Sequence, residues 1–372
     1  MDINYVELGS ICKKGSSNVA QKDLSDHKGK YPIYGASGFI MNVDFAHQNK
    51  PYLAVVIDGA GVGRVMLLPA NSSVIGTMQY ILPNDNVDID YLFYALQYMN
   101  LSKYYSGATI PHIYFKDYQR EKILLPSLDI QRKKAEVLHK IDRLKNWYNE
   151  YIVKFDTLIK SRFIEMFGDP LANPFKWNVK LIEDVVASSK NSLKSGPFGS
   201  ALKKEYYVKS GYKVYGQEQV ISGNFKVGNY YIDEKRYKIL ENYAIQEGDV
   251  LISLVGTYGK LLIMSDNFEP GIINPRLLKI TFDKSKVNSI YFKYYFESES
   301  LKKALSENTH GGTMAILNLS IVRKLAMPLP SLELQNQFAA FAQQVNKSEL
   351  AVKASLEKLE TLKKSLMQQY FG

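Results

Sequence analysis

Polar side chains able to bond nucleic-acid bases are concentrated in three loops of the second half of the chain, at residues 194–200, 215–219 and 256–260. The amides of Gln217 and Gln219 match an adenine edge, and the carboxylate of Glu218 matches a cytosine amino group. Lys260, and Arg276 further along the chain, match a guanine or a phosphate. The other candidates in these loops are Lys194, Ser195, Phe198, Ser200 and Thr257. This pattern predicts a base-reading surface; divergence of surface loops that bind nothing is the alternative.

The first half of the chain carries looser counterparts of these loops. Segment 34–37 stands where the second half has segment 215–218, Arg64 stands where it has Lys260, and Gln79 lies near the place of Arg276. The candidate contact residues in this half are Tyr34, Ser37, Arg64 and Gln79. Because the framework matches and the loops differ, we expect one scaffold with two specificities.

A loop of small residues recurs in both halves, at residues 106–112 and 310–314. Thr109 and Thr313 hold the same position in the two loops, and His112 follows the first of them. A hydroxyl at a shared position predicts a shared task, such as a hydrogen bond to a phosphate. A structural turn is equally compatible with this loop.

Patterns typical of catalysis, metal binding or cofactor binding are missing from the sequence. The five histidines have no metal-ligand spacing, and segment 256–260 is too short for a Walker A loop. The glycine-rich segment 58–64 leads into a strand-like run and not into the helix that a dinucleotide site requires. That segment predicts a tight turn that brings Arg64 close to a ligand, or an ordinary hairpin turn. We expect no catalytic residue, metal ligand or cofactor-binding residue in this chain.

The elements that must position the loops include a stretch that the chain contains twice. Residues 107–168 and 311–372 align without a gap at a constant offset of 204. Both copies contain Leu-Pro-Ser-Leu, at 125–128 and 329–332, and both close on Phe-Gly, at 167–168 and 371–372. A period this long exceeds that of common solenoid units and predicts two whole modules.

Each copy predicts one long helix, from Leu128 to Gly168 and from Leu332 to Gly372, because proline and almost all glycine are missing in between. In the first copy apolar or aromatic residues recur at alternating steps of four and three, which is typical of a coiled-coil seam. These seam residues are Val137, Ile141, Leu144, Tyr148, Tyr151, Phe155 and Leu158. The second copy keeps this register with less apolar residues, so we expect the two helices to pair with each other, antiparallel.

The rest of the chain predicts two globular modules. Short apolar runs at residues 31–34, 52–57, 65–68 and 79–82 indicate strands, and residues 89–104 have helical spacing. The expected fold is α+β, with α/β modules at 1–126 and 171–330. They are separated by long helices at 127–170 and 331–372 that pair as an antiparallel coiled coil.

Charge is distributed unevenly along the chain. The formal net charge is +10, yet residues 1–126 carry no net charge and residues 171–330 carry +7. This balance supports phosphate contact by the second module and is silent about the first. The single cysteine, Cys12, excludes an internal disulfide, and no signal region or membrane-length apolar run is present. We expect a soluble, cytoplasmic protein that does not contact a membrane.

Two divergent modules alternating with two near-repeat helices resemble the specificity subunit of type I restriction-modification systems, over nearly the whole chain. The most specific matches are the two Leu-Pro-Ser-Leu openings, residues 161–170 (Ser-Arg-Phe-Ile-Glu-Met-Phe-Gly-Asp-Pro) and residues 195–200 (Ser-Gly-Pro-Phe-Gly-Ser). The first module departs from the pattern, because residues 10–30 contain no counterpart of segment 196–199.

The resemblance implies that each module is a target recognition domain reading one half of a bipartite site in double-stranded DNA. It implies that the helices set the spacing and dock two methyltransferase subunits. The chain itself would be non-catalytic and bind no cofactor. S-adenosylmethionine would serve the methyltransferase partners, and ATP and Mg²⁺ the motor-nuclease subunits.

Helix geometry agrees with a spacing role. From Val137 to Phe163 a helix spans about 40 Å at ~1.5 Å per residue, close to one ~34–36 Å turn of B-DNA. This length predicts a discontinuous target with a few unread base pairs in the middle. Two other classes stay open: the target-reading part of a fused methyltransferase-nuclease enzyme, and a purely structural coiled-coil protein.

Overall fold

A computed structural model describes residues 5–106, 111–254, 259–307 and 317–372. The chain divides into two compact units. Unit 1 comprises Met1–Glu150 with Val352–Gly372, and unit 2 comprises Tyr151–Ala351. Each unit is described below by itself.

The elements of the first half alternate short strands with short helices and end in one long helix. The strands are β1 (Tyr5–Glu7), β2 (Cys12–Ser16), β3 (Tyr31–Gly35), β4 (Gly38–Val43), β5 (Tyr52–Val56), β6 (Val65–Leu68), β7 (Ser73–Val74), β8 (Met78–Pro83) and β9 (Lys122–Leu124). The helices are α1 (Leu8–Ile11), α2 (Ile89–Met99), α3 (Phe115–Tyr118) and α4 (Leu128–Phe167). The strands that the sequence predicts at 31–34, 52–57, 65–68 and 79–82 are confirmed to within a residue or two.

The second half also combines short strands with short helices and ends in one long helix. Its strands are β10 (Val179–Leu181), β11 (Leu193–Ser195), β12 (Tyr207–Val208), β13 (Tyr212–Tyr215), β14 (Tyr231–Ile232), β15 (Val250–Ser253), β16 (Leu261–Ile263), β17 (Gly271–Ile273), β18 (Leu277–Ile280) and β19 (Ala326–Pro328). Its helices are α5 (Gln217–Ser222), α6 (Glu234–Ile239), α7 (Ser289–Phe296), α8 (Glu299–Glu307), α9 (Leu319–Arg323) and α10 (Leu332–Phe371). No helix in the described ranges is both long enough and apolar enough to cross a membrane.

The first module is built on a four-stranded antiparallel sheet of order β2-β8-β5-β6 and a three-stranded sheet of order β4-β3-β7. All residues of β5 are buried. Because side chains alternate across a strand, Leu53 and Val55 join one apolar cluster while Tyr52, Ala54 and Val56 join another. This two-sided burial explains why the strand reads as a continuous apolar run.

The second module uses the same plan. One sheet has the order β11-β18-β15-β16, and the other has the order β12-β14-β13-β17. The pair β13 and β17 is parallel, as is the pair β3 and β7 of the first module. The shared plan supports the interpretation that one scaffold was duplicated.

Both long helices begin and end where the sequence predicts. Helix α4 begins at Leu128 and α10 at Leu332, directly after Pro-Ser. Helix α4 ends before Gly168, whose φ of +75° is the left-handed conformation that favours glycine at a helix end. The backbone N–H of Gly168 donates to Ile164 O at 2.8 Å and closes the last turn.

The shorter helix predicted at residues 89–104 is interrupted. Helix α2 ends at Met99, and Asn100 follows in the left-handed region with φ 51°. A short 3-10 helix then covers Leu101–Tyr104. Asparagine tolerates this conformation better than most residues, which apolar periodicity alone does not reveal.

In unit 1 the long helices run antiparallel. Lys363 Nζ of α10 donates to both carboxylate oxygens of Asp142 of α4, at 2.6 and 2.8 Å. Three residues further along α4, Lys145 lies 3.5 Å from Glu360, three residues earlier in α10. Residue numbers therefore increase along α4 where they decrease along α10, so the two helices pair antiparallel in this unit, as predicted.

Unit 2 shows the same direction of pairing through aromatic rings. Phe163 of α4 lies edge-on to Phe338 of α10, with ring centroids 5.4 Å apart. The Arg162 guanidinium lies 5.9 Å from the ring centroid of Phe341. Phe167 also packs on Tyr291 of α7, at 4.9 Å, so the end of α4 is joined to the second module.

The predicted seam on α4 is only partly correct. Ile141 is buried, as predicted, but Val137, Leu144, Tyr151 and Leu158 are exposed. The most buried apolar side chains of the helix are Leu138, Ile159, Phe163 and Phe167. The register differs because α4 packs against the module helices as well as α10, and this wider contact selects a different face.

Candidate nucleic-acid interface

A groove of about 550 Å³ opens on the second module. It brings together three candidate residues from two separate segments: Gln217 and Glu218 from one, and Arg276 from the other. The full lining is Lys204, Tyr207, Val214, Gly216, Gln217, Glu218, Tyr230, Asn274, Pro275 and Arg276. The structure thus collects at one surface residues that the sequence separates by about sixty positions.

Two backbone turns position the polar side chains of this groove. Strand β13 ends at Tyr215, and its carbonyl accepts a hydrogen bond from Asn274 N at 2.8 Å. Between them, Gly216 leaves no room for a side chain, since a Cβ there would lie 2.6 Å from Asn274 Nδ2. The Asn274 side chain in turn accepts from Arg276 N at 2.9 Å. The turns at 215–217 and 274–276 are therefore held together.

An amide and a guanidinium lie side by side in the groove. Gln217 Nε2 donates to Ser253 Oγ at 2.9 Å, and Arg276 Nη1 lies 3.4 Å from Gln217 Oε1. Arg276 and Glu218 are exposed, and Gln217 is half-buried. The arginine donors suit the two acceptors of guanine, and the glutamine amide suits the acceptor and the donor of adenine, so this edge of the groove fits base recognition.

Two other candidates of this module are buried in internal roles. Gln219 is fully buried; its Oε1 accepts from Gly216 N at 2.8 Å and its Nε2 donates to Val227 O at 2.8 Å. Ser195 is 8% exposed at the end of β11. Gln219 thus fixes the turn that carries Gln217, and a base contact by either buried residue stays a prediction.

The remaining described candidates of this module are not part of the groove lining. Ser200, Lys260 and Phe198 are exposed, Phe198 to 75%. Lys194 Nζ donates to Asn191 Oδ1 at 2.9 Å and lies 4.4 Å from the Tyr243 ring centroid. Burial and the neighbouring lysine cations lower the pKa of Lys194.

The first module places Tyr34, Ser37 and Arg64 at the equivalent surface. Tyr34 O accepts from Ile75 N at 3.0 Å, as Tyr215 O does from Asn274 N. Arg64 Nη1 donates to Ala36 O at 3.0 Å, so the cation lies against the turn that also carries exposed Ser37. The predicted match between segments 34–37 and 215–218 is confirmed.

Strand register confirms a second match and corrects a third. Arg64 O accepts from Val56 N at the end of β5, as Lys260 O accepts from Ser253 N at the end of β15. Arg64 and Lys260 are therefore equivalent, as predicted. The equivalent of Arg276 is Thr77, two residues before Gln79. The Thr77 carbonyl accepts a hydrogen bond from Ile57 N, directly after β5, and the Arg276 carbonyl accepts one from Leu254 N, directly after β15.

Gln79 and His112 have partners inside the first module. Gln79 is 7% exposed, and its Oε1 accepts from Tyr118 Oη at 3.2 Å. The His112 ring bonds the Asp58 carboxylate and packs on Tyr114, with ring centroids 4.2 Å apart. Three candidates, Thr109, Thr257 and Thr313, lie outside the described residues.

Sequence reasoning missed several groove residues, among them Lys204, Tyr230 and Asn274. The Asn274-Pro275 dipeptide is a turn signal directly before Arg276, and it could have identified the second turn. Lys204 and Tyr230 carry no such local signal. In the part of the chain that the structure describes, no group of three or more His, Cys, Asp or Glu side chains is placed to hold a metal ion.

Solved structures share this fold. The S subunit of a type I restriction-modification system from M. genitalium aligns with a TM-score of 0.64 at 15% identity, covering 100% of this chain and 97% of that one. A chain from a structure on complex assembly and conformational transition of the type I R-M system aligns with a TM-score of 0.61 at 15% identity, covering 99% and 97%.

Sequence comparison points the same way. The type I restriction enzyme MjaVIII specificity subunit of Methanocaldococcus jannaschii is 24% identical over 340 residues, covering 86% of this chain and 78% of that protein. The EcoprrI specificity subunit of Escherichia coli is 25% identical over 147 residues, 38% of this chain and 37% of that protein. The model of the type I restriction modification DNA specificity domain matches residues 1–152 and 174–361. With both modules covered by that match, the chain belongs to the type I restriction modification DNA specificity family.

Proposed function

We propose that this chain is the DNA-reading specificity subunit of a type I restriction-modification complex, with each module reading one half of a bipartite double-stranded target. This proposal rests on one observation: the two modules share the same arrangement of strands and turns, one backbone frame, but different side chains occupy equivalent positions on it. The frame presents Gln217 and Arg276 in the second module, and Ser37 and Arg64 in the first. Different polar groups on one frame are what two different half-sites require.

The long helices supply the other half of the proposal. Helix α4 is continuous over 40 residues, which supports a role in setting the distance between half-sites. It also exposes apolar residues one heptad apart, Val137 and Leu144 in unit 1 and Tyr151 and Leu158 in unit 2. An exposed apolar heptad pattern favours docking of a partner helix. We assign this surface to methyltransferase subunits, two per chain.

In this proposal the chain itself performs no catalysis and works in the cytoplasm. S-adenosylmethionine is used by the methyltransferase subunits, and ATP with Mg²⁺ by motor-nuclease subunits when they join. The competing proposal is the target-reading part of a fused methyltransferase-nuclease. That alternative requires methylation by one polypeptide.

Methylome sequencing tests the function. A host without methylation of its own would express this chain with and without a separate methyltransferase subunit from the same operon. We expect methylation only with both, at a discontinuous motif whose two halves lie about one turn of B-DNA, ~10 base pairs, apart centre to centre. A continuous or palindromic motif contradicts the bipartite assignment, and methylation by this chain alone supports the fused enzyme.

A further inference from the structure

Exposed phenylalanine is rare in this protein, and its placement is informative. Among the phenylalanine side chains in the described ranges, those of Phe39, Phe175 and Phe198 are exposed, to 59%, 52% and 75%. A scattered exposed apolar residue needs no explanation by itself. Here, however, Phe39 and Phe198 each border one of the two candidate reading surfaces.

The loop that carries Phe198 is pressed against the turn that carries Arg276. Gly196 N donates to Leu277 O at 2.9 Å, and a Cβ on Gly196 would lie 1.9 Å from Asn274 O. Both Gly196 and Pro197 are buried, whereas Phe198 directly after them is the most exposed large apolar side chain described. A braced backbone therefore holds the ring in solvent beside the groove.

In the first module the exposed ring is Phe39, which follows the turn that carries Ser37 and the Ala36 carbonyl. It is the second residue of β4 and lies opposite Tyr34 of β3, with the two rings edge-on and their centroids 6.1 Å apart. Between these residues lies the Ala36 carbonyl to which Arg64 donates. The residue of the first module that corresponds in strand register to Phe198 is Val19. Ser16 pairs with Gln79 in the first module as Ser195 pairs with Leu278 in the second, and Val19 and Phe198 each follow three residues after that serine. Val19 is partly buried, so the two modules supply their rings from unrelated loops.

Charge around each ring fits a polyanion. Arg64 donates to the Ala36 carbonyl beside Phe39. Lys203 and Lys204 follow Phe198 closely in the chain, and Arg276 belongs to the turn on which the Phe198 loop packs. All four cations are exposed, and Lys203 lies 3.6 Å from Glu205. An aromatic ring is not stabilised by contact with a phosphate, but stacking on the face of a base stabilises it. Proteins that distort DNA use apolar side chains in this way, as wedges between base steps.

We propose that Phe39 and Phe198 are apolar wedges, each stacking on bases at a distorted step next to the bases read by its module. This inference rests on the proposed function and adds a contact by base stacking to readout by hydrogen bonds. Stacking depends on the deformability of the step, so it also makes each half-site selective for a flexible step, such as TA or CA, where the wedge enters.

The test uses the full chain assembled with its methyltransferase subunit and duplexes that contain the methylome motif. 2-Aminopurine replaces adenine at successive positions of each half-site, since its fluorescence rises when stacking is lost. With the wild-type chain we expect a rise at one step in each half-site. Phe198→Ala removes the rise in the second half-site alone, and Phe39→Ala removes it in the first alone.

Affinity and two matched variants complete the test. Phe198→Ala weakens specific binding about 5- to 150-fold, because stacking on one base is worth ~1–3 kcal/mol. The salt dependence of binding is unchanged because no cation is lost. Phe198→Trp keeps both the binding and the fluorescence change. Phe175→Ala serves as the control, because it removes an exposed ring that packs near Trp177, away from the groove residues.

The outcomes separate this inference from the proposed function. If the wild-type complex binds specifically but shows no fluorescence rise, the wedge proposal is wrong and the proposed function is unaffected. The same holds if both alanine variants bind as tightly as the wild type. A Phe198→Ala variant that fails to assemble with the methyltransferase assigns that ring to a protein interface and likewise overturns the inference. A wild-type complex without sequence-specific DNA binding overturns both.

Discussion

Gln131 Oε1 accepts a hydrogen bond from the backbone N–H of Asp88 at 2.8 Å, and Gln335 Oε1 accepts one from Asn288 N at 2.9 Å. Both glutamines are fully buried, and each Nε2 donates to two backbone carbonyls. Asp88 and Asn288 are the N-caps of α2 and α7. In each unit, therefore, one amide joins the first turn of a long helix to the first turn of a module helix.

Removing either amide should destabilise its unit. We expect Gln131→Ala and Gln335→Ala each to lower the free energy of unfolding by about 2–4 kcal/mol, since each buried group left unpaired costs ~1–3 kcal/mol. Denaturant unfolding measures this change. Gln337→Ala, an exposed glutamine two residues along α10, is the control. Equal midpoints for Gln335→Ala and Gln337→Ala would contradict the role of the buried amide.

Arg276 and Arg64 should each control one base of the target. Replacing Arg276 by alanine should remove ~1–3 kcal/mol of discrimination at one position of the second half-site, and Arg64→Ala should do so in the first. The measurement is affinity for duplexes carrying each single base-pair substitution. Lys238→Ala removes an exposed lysine of α6 paired with Glu234 and should change no preference. A uniform loss over all duplexes would instead assign the arginine to a phosphate.

The antiparallel helix pair predicts a measurable coupling between Asp142 and Lys363. The Lys363 side chain is 19% exposed, and the Asp142 carboxylate also accepts from Tyr94 Oη at 2.9 Å. A double-mutant cycle with Asp142→Ala and Lys363→Ala should give a coupling of about 1–2 kcal/mol, between the values typical of exposed and buried pairs. The exposed pair Asp129 and Lys133 should give a smaller coupling, because solvent screens both charges. A coupling in the first pair no larger than in the second would argue against close packing of α4 on α10.

Cys12 should make stability fall at high pH. Burial raises the pKa of its thiol from 9.0 to about 12. Between these values the unfolded chain has lost the thiol proton while the folded chain keeps it, so unfolding becomes easier as pH rises, by up to ~1.4 kcal/mol per unit. The free energy of unfolding of the wild type and of Cys12→Ala would be measured from pH 8 to 11. The difference between the two slopes separates the effect of the thiol from that of the buried tyrosines. The same burial predicts that iodoacetamide alkylates Cys12 only after unfolding, and identical slopes in the two proteins would contradict the raised pKa.

Local sequence patterns were sufficient to predict the elements and their repetition. The ends of α4 at Leu128 and Phe167 follow from a Pro-Ser start and a Phe-Gly end, which act within one helical turn. The strands follow from short apolar runs bounded by turn residues. The match of Arg64 to Lys260 was also predictable, because each residue directly precedes a short apolar run that forms a strand, β6 or β16.

Charge is a case in which composition misleads. Lys213 and Lys279 count toward the net charge of the second module, yet both are buried, Lys213 against Glu269 at 2.7 Å and Lys279 beside buried Asp249. Burial lowers the pKa of Lys279, the effect of low polarity on a cation. These two cations are committed to internal pairs, and the ones that face the groove are Lys204 and Arg276.

The sequence by itself determined the duplicated scaffold, the two long helices, and the loops that carry the candidate reading residues, because each depends on interactions between residues close together in the chain. Only the tertiary structure decided which of those residues reach solvent. Gln217 and Gln219 look equivalent in the sequence, but one lines the groove and the other is buried beneath the turn. The Gln219 amide is held by Gly216 N and Val227 O. The Gln217 amide is held by Ser253 and Arg276, which lie 36 and 59 positions further along the chain, a separation that no local pattern encodes.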